Sequence, residues 1–356
     1  MGSATARDKP IFVAGSAHQR EINWWQSNGS QNSGQMTRPL YRLFSRTFFS
    51  DLAWRLWGSG LRILAYHGIC ADDMANQPWV PDHFVTHSIF QAHLKYLTDR
   101  ACVLKLSEAA RLLSAGRLPR RATCITFDDG YANNLYEALP LLEKYSVPAT
   151  IFIATAHTRS GELLPFDKAR LIHLHRTGVA DYSSFYKLPL DELERLFAAP
   201  WAEMEDSIPQ EAREALRPLT VEELSRFPAD IVELGAHTRT HCILLKENEE
   251  RRREEICGSL QDISEWTGNP TPMFSYPTGA FDDLDKRVLR EWRCPAAVTT
   301  MLGRNTMNRD LLQLERYTMA MGHDLDGFIA EVTGFRPLLY KHFASPWSPL
   351  PEKPRS

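Results

Sequence analysis

Apolar residues along this chain fall into short blocks that alternate between two spacings. From residue 122 to 127 the side chains are apolar or β-branched, which reads as a buried strand. Leu135, Leu139, Leu142 and Tyr145 then recur at helical spacing. Pro148 closes the loop, and residues 149–154 make a second apolar strand. A strand–helix–strand unit of this kind predicts a parallel pair with a right-handed crossover. Further strands are expected at 61–67, 102–104, 231–236, 273–276, 296–300 and 311–319. Helices are expected at 88–100, 249–267 and 282–292, with Ile256, Leu260 and Ile263 turned inward. Ser107 reads as the cap of a helix running to Ala115. Repeated alternation with polar residues at the strand ends predicts a parallel α/β barrel whose site lies at the C-terminal ends of its strands.

The pattern is interrupted in three places. Residues 1–37 are polar, with Trp24 and Trp25 as exceptions, and read as a tail. From 38 to 62, Leu40, Leu43, Phe44, Phe48, Leu52, Leu56 and Trp57 keep a helical spacing, and five arginines stand against Asp51. A basic, aromatic amphipathic helix can lie on an anionic membrane surface or pack on the protein. Residues 156–230 are poor in strand signals, with helical segments near 166–176, 190–198, 207–217 and 220–227. They read as an insertion between strands. The expected organisation is a tail and basic helix over 1–60, one domain over 61–345 and a C-terminal tail over 346–356.

Composition changes this picture little. Hydrophobic residues make up 43% and charged residues 24%, ordinary for a globular chain with a sizeable core. A net charge of -3 gives no footprint of a nucleic-acid binder. Six cysteines without CxxC spacing read as reduced core residues. No apolar run reaches the ~18 residues of a membrane span, and the first residues lack a signal-peptide core. The expectation is a cytoplasmic chain, with 38–62 offering a peripheral contact at the inner face of the membrane.

Candidate chemistry sits at three strand ends: His67, Asp128 with Asp129, and His237 with His241. Two acids at the end of a buried parallel strand must each find a cation, a donor or water. Histidines at i and i+4 can face one ion if the turn between them is helical. The residue after His237 is Thr238, so the zinc-protease pattern, which needs Glu there, does not apply. Two imidazoles and one carboxylate leave coordination positions open, as a catalytic zinc site requires. A glycosidase would need its two carboxylates ~5–9 Å apart across a sugar, which sequence neighbours rarely provide.

TFDDG at 126–130 and HTRTH at 237–241 resemble the first two motifs of the NodB-type polysaccharide deacetylases, the family-4 carbohydrate esterases. LAYHGI at 64–69, EICGSLQDISEWTG at 255–268, FSYPTGAFD at 274–282 and AAVTT at 296–300 resemble a bacterial branch acting on exopolysaccharides such as poly-N-acetylglucosamine. The resemblance spans roughly 61–320 and implies an irregular (β/α) barrel. It implies that Asp129, His237 and His241 hold a divalent metal, most often zinc, and that Asp128 is the general base. It implies an oxyanion donor in the backbone N–H after Gly130, at Tyr131, and an acetyl pocket touched by Pro277, Thr278 and Leu314. Ser275 stands where the family usually has the arginine that orients the base, and the usual late Leu-x-x-His acid has no match. In the poly-N-acetylglucosamine branch an early Tyr-His pair supplies the acid, which His67 resembles. The implied reaction removes an N-acetyl group from a hexosamine-containing glycan or lipid-linked sugar. O-acetyl ester or non-sugar amide hydrolysis at the same site, or a catalytically silent glycan-binding relative, are the alternatives. The other histidines, His83 among them, read as surface or packing residues.

Overall fold

The computed structural model describes residues 50, 52–54, 59–183 and 188–334. The expected N-terminal tail, most of the basic segment 38–62 and the C-terminal tail lie outside them. Residues 52–54 are helical, and Trp54 is buried, its indole donating to the Tyr96 hydroxyl at 2.8 Å.

Ten strands are present among the described residues: β1 Arg62–Tyr66, β2 Ile69–Cys70, β3 Val85–Thr86, β4 Cys102–Val103, β5 Ala122–Phe127, β6 Ala149–Ile153, β7 Val232–Ala236, β8 Phe274–Ser275, β9 Ala297–Leu302 and β10 Leu314–Thr318. β1 pairs in parallel with both β10 and β5, so the order β1-β10-β9-β8-β7-β6-β5 closes on itself. The result is a seven-stranded parallel barrel. β4 attaches only to the start of β5, and β2 and β3 form a separate pair.

Helices wrap this barrel: α1 His87–Arg100, α2 Leu106–Ser114, α3 Leu139–Tyr145, α4 Thr155–Ser160, α5 Pro165–Thr177, α6 Leu190–Met204, α7 Gln210–Leu216, α8 Val221–Leu224, α9 Glu249–Thr267, α10 Asp283–Glu291 and α11 Leu325–Val332. Strand residues alternate between two apolar clusters, as period-2 geometry requires. Leu64, Tyr66, Ile125, Phe127, Ile151 and Ile153 pack outward with Phe90, Leu94 and Leu142 of the helices. Ile63, Cys124, Phe152, Val298 and Leu314 fill the barrel interior, and α2 plugs its lower end with Leu106, Ala110 and Leu113. Ser107 does not cap α2: it lies one residue inside, and its hydroxyl donates to Glu233 of β7 at 2.6 Å. Lys105 holds the N-cap position, with no side-chain cap bond.

The insertion contributes α4 to α8. Phe166, Leu171, Leu193 and Leu216 join Trp79, Phe84 and Tyr131 in a third apolar cluster beside the C-terminal strand ends. Arg170 of α5 donates to the carbonyls of Pro78, Trp79 and Val80, tying the insertion to the loop that carries His83. All six cysteines are free thiols. No helix among the described residues is long and apolar enough to cross a membrane.

Candidate active site

The strand ends converge on a buried group of charges. Asp128 and Asp129 follow β5, each 2% exposed. The Asp128 N–H still donates to the Tyr66 carbonyl at 3.0 Å, so Asp128 extends the inner face of the strand above Thr126. At Asp129 the chain turns: Asp129 and Gly130 both have φ of +74°. Aspartate enters this left-handed region more readily than most residues with a Cβ. A Cβ on Gly130 would also press on Ile153 at 3.0 Å. The turn sends the two neighbouring carboxylates to different partners.

Asp128 meets Arg316 of β10. Arg316 Nη1 lies 2.8 Å from Oδ1 and Nη2 2.5 Å from Oδ2 of Asp128. The guanidinium also donates to Thr126 Oγ1 at 3.1 Å, Ser275 Oγ at 3.1 Å and the Thr299 carbonyl at 2.7 Å. All five donors of this fully buried side chain are used. Burial alone would raise the Asp128 carboxyl, but the Arg316 charge, with help from His237, outweighs it and holds it below the ordinary range. The arginine missing at Ser275 therefore arrives from a different strand, and the small Ser275 side chain leaves room for it and accepts one of its bonds. A charged residue on the inner face of the buried run LLQLERYT was the available sequence signal, because such a charge demands a partner.

Asp129 meets the histidines. His237 Nε2 lies 3.4 Å and His241 Nε2 3.2 Å from Asp129 Oδ1. The three ligand atoms lie within 4.8 Å of one another, the one such His/Cys/Asp/Glu group among the described residues. His237 Nδ1 sits 2.7 Å from the Ser275 carbonyl. A carbonyl only accepts, so Nδ1 carries a proton and Nε2 is the ring atom left to face Asp129 or a cation. The turn that joins the histidines is not the helical one under which their spacing alone would let them face one ion. Thr238 and His241 have φ of +59° and +56°, and this left-handed turn brings both rings to one side. Burial disfavours charge on His237, yet Asp128 and Asp129 outweigh it and raise its pKa. Asp129 is also driven up by burial, and its bonds to His237 and His241 bring it well below the usual carboxylate range. Burial lowers the His241 pKa, with Asp129 opposing, so a neutral imidazole stands beside an ionised carboxylate, the protonation states that cation ligands need. Donor types, fixed tautomer and protonation states all fit a divalent cation.

His67 follows β1, half-buried. Asn134 Nδ2 donates to its carbonyl at 2.7 Å from a π-helical turn, Asn134–Ala138, where regular helix was expected. Burial lowers the His67 pKa, with Asp129 and Asp128 opposing. Its ring centroid lies 4.7 Å from that of His83, and both rings carry a buried nitrogen without a hydrogen-bond partner among the described residues. His83, read from sequence as surface or packing, is therefore a neighbour of the site. Nothing in its local sequence distinguishes it, because the loop that delivers it is held by Arg170 far along the chain.

Among the described residues the Tyr131 N–H has no backbone partner, while Gly130 and Ala132 on either side are tied to Leu219 and Arg217. The Tyr131 hydroxyl donates to Asp167 of α5 at 2.8 Å. Burial pushes the Asp167 carboxyl up to about 7. Phe166 beside it packs 4.9 Å from the His241 ring. The insertion is thus a wall of the site. Pro277 and Thr278 form a short turn directly beyond Ser275 at the same end of the barrel. Leu314 lies inside the barrel. It is fully buried with Cys124, Phe152 and Val298, one inward step below Arg316, because the strand's alternation puts both residues inside the barrel.

A carboxylate clamped by arginine beside an Asp–His–His group that could hold a cation is an arrangement suited to hydrolysis. Residues 115–296 match the family model for polysaccharide deacetylase, about half the chain, and the protein belongs to that family, hydrolases of carbon–nitrogen bonds other than peptide bonds. The chain is 22% identical over 278 residues to the YxkH protein of Bacillus subtilis, covering 78% of this chain and 77% of that one. It is 32% identical over 110 residues to the poly-beta-1,6-N-acetyl-D-glucosamine N-deacetylase of Staphylococcus aureus, covering 30% of this chain and 38% of that enzyme. In fold it is similar to the Streptococcus pyogenes deacetylase PplD, with TM-score 0.55, 18% identity, and coverage of 77% and 99% of the two chains. IcaB from Ammonifex degensii gives TM-score 0.54 and 17% identity over 78% and 98%. The irregular (β/α) barrel implied by the family resemblance is the observed one.

Proposed function

We propose that this chain is a metal-dependent N-deacetylase that hydrolyses the N-acetyl group of a hexosamine-containing glycan or lipid-linked sugar. The observation that carries this reading is the division of labour between Asp128, clamped by Arg316, and Asp129, grouped with His237 and His241. Asp129, His237 and His241 would hold the ion, and two imidazoles with one carboxylate suit zinc. A bound ion supplies Lewis-acid polarisation of the acetyl carbonyl and activation of water at neutral pH. Asp128, kept ionised, takes the proton of the attacking water. The Tyr131 N–H donates to the oxyanion that forms on the acetyl oxygen. His67 gives a proton to the leaving amine as the C–N bond breaks, so the products are acetate and a free amino sugar. Pro277 and Thr278 border the acetyl group.

The relative in Staphylococcus aureus is named for an N-acetylglucosamine polymer, which supports an N-acetylhexosamine substrate here. The basic aromatic segment 38–62 favours a lipid-carried form. Absence of binding to anionic vesicles in low salt removes that part. The main test is acetate release by zinc-loaded protein from N-acetylglucosamine oligomers and, in parallel, from O-acetylated glycans. Acetate from the N-acetylated set supports the proposal. Acetate from the O-acetylated set alone makes the protein an esterase, and acetate from neither overturns the enzymatic assignment of the site.

A further inference from the structure

One face of α9 is shaped to the back of the turn that carries His237 and His241. That turn holds two residues with a Cβ in the left-handed region, Thr238 and His241. Left-handed backbone disfavours such residues, so surrounding bonds must over-determine it. Glu255, 1% exposed, supplies them. Its Oε2 accepts the backbone N–H of Arg239 at 2.8 Å and of Thr240 at 2.9 Å. Its Oε1 accepts the Thr240 hydroxyl at 2.8 Å and lies 3.0 Å from Arg251 Nη2. Three residues on, Gly258 leaves space for the Arg239 side chain, since a Cβ there would lie 2.3 Å from Arg239 Nε. Seven residues on, buried Asp262 accepts from Arg239 Nε at 3.3 Å, Arg159 at 2.9 Å and the Thr155 hydroxyl at 2.7 Å. Offsets of three and seven put all three on one helix face. The opposite side of the turn is held by the N–H groups of Thr155 and Ala156, which donate to the carbonyls of Thr238 and Arg239.

We infer that Glu255 is a positioning residue for the metal-binding histidines. By fixing two of the four peptide groups between His237 and His241 it sets where His241 points, and so the separation of the two imidazoles. The inference rests on the reading that Asp129, His237 and His241 bind a cation. It differs from a merely structural role in what it changes: the barrel stays folded and zinc affinity falls.

The test compares zinc affinity of metal-free full-length protein, by competition with a chromophoric chelator, with its unfolding midpoint. Glu255→Ala is expected to bind zinc about 10- to 100-fold more weakly, the range for outer partners of metal ligands. Glu255→Gln keeps one acceptor oxygen and is expected to fall between Glu255→Ala and the wild type. Thr240→Val removes only the hydroxyl bond to Glu255 and keeps the variant set informative if Glu255→Ala does not fold. Its affinity is expected to drop several-fold with little change in midpoint. Wild-type zinc affinity in folded Thr240→Val and Glu255→Gln overturns the inference, whatever their midpoints. A wild-type protein that binds no zinc overturns the reading beneath it instead.

Discussion

Arg316 and Asp128 form a fully buried ion pair in which every guanidinium donor is used. Removing one partner of such a pair leaves an uncompensated charge and destabilises by about 3–5 kcal/mol. Arg316→Met should therefore lower stability by that order in denaturant unfolding at neutral pH. The sign of its pH dependence follows from Asp128. With Arg316 present the folded carboxyl titrates below its ordinary value, so the pair stabilises fully above the unfolded pKa and weakens only as pH falls through the lower folded one. Without Arg316, burial acts with less opposition and raises the carboxyl. The deficit of the variant should then shrink as pH falls, and the acid limb of its acetate release should move to higher pH. An unshifted limb contradicts the clamp. His67→Ala should reduce turnover by about 10²–10⁴-fold, the scale of general acid–base catalysis, while zinc binding stays intact. Turnover at the wild-type level removes His67 from the proton transfer. The two acids and the two histidines were legible in sequence because their cost at strand ends marks them. Arg316 was not, because its partner lies 188 residues away and the expected arginine position, Ser275, drew the reading to another strand.

Elements decide which of these side chains meet. β10 carries both Leu314 and Arg316 on its inner face, and their different surroundings assign them different work. Leu314→Ala should cost about 2–5 kcal/mol of stability through the cavity it leaves, with KM for the glycan unchanged at a temperature where the variant is folded. A raised KM restores Leu314 to the pocket. α5 brings Asp167 against Tyr131, and the raised carboxyl makes the folded state hold a proton that the unfolded chain releases between about pH 4 and 7. Asp167 thus subtracts stability as pH rises through that window. Metal-free Asp167→Asn should lose less stability than the wild type from pH 4 to 7 in parallel unfolding curves. Equal slopes contradict the assignment. The helical character of 156–230 was readable from spacing and prolines. Its place against His241 was not, because Phe166 reaches that ring through tertiary packing that no local pattern records.

At the scale of the whole molecule, the barrel was the most legible feature. Seven strands buried on both faces must close or be covered, and their apolar runs separated by helices encode that directly. The site is then a consequence of topology: parallel strands deliver His67, Asp128, Asp129 and His237 to one end, and the insertion covers them. The turn from His237 to His241 completes the group by left-handed backbone that the histidine spacing alone did not reveal. The central claim is that this mouth works as a cation-dependent deacetylase through Asp129, His237 and His241. It is tested most directly by titrating zinc into metal-free protein while following acetate release from N-acetylglucosamine oligomers. The account predicts release that rises to a plateau at one ion per chain and is absent from Asp129→Ala. Full release from the metal-free protein, or wild-type release from Asp129→Ala, would contradict it.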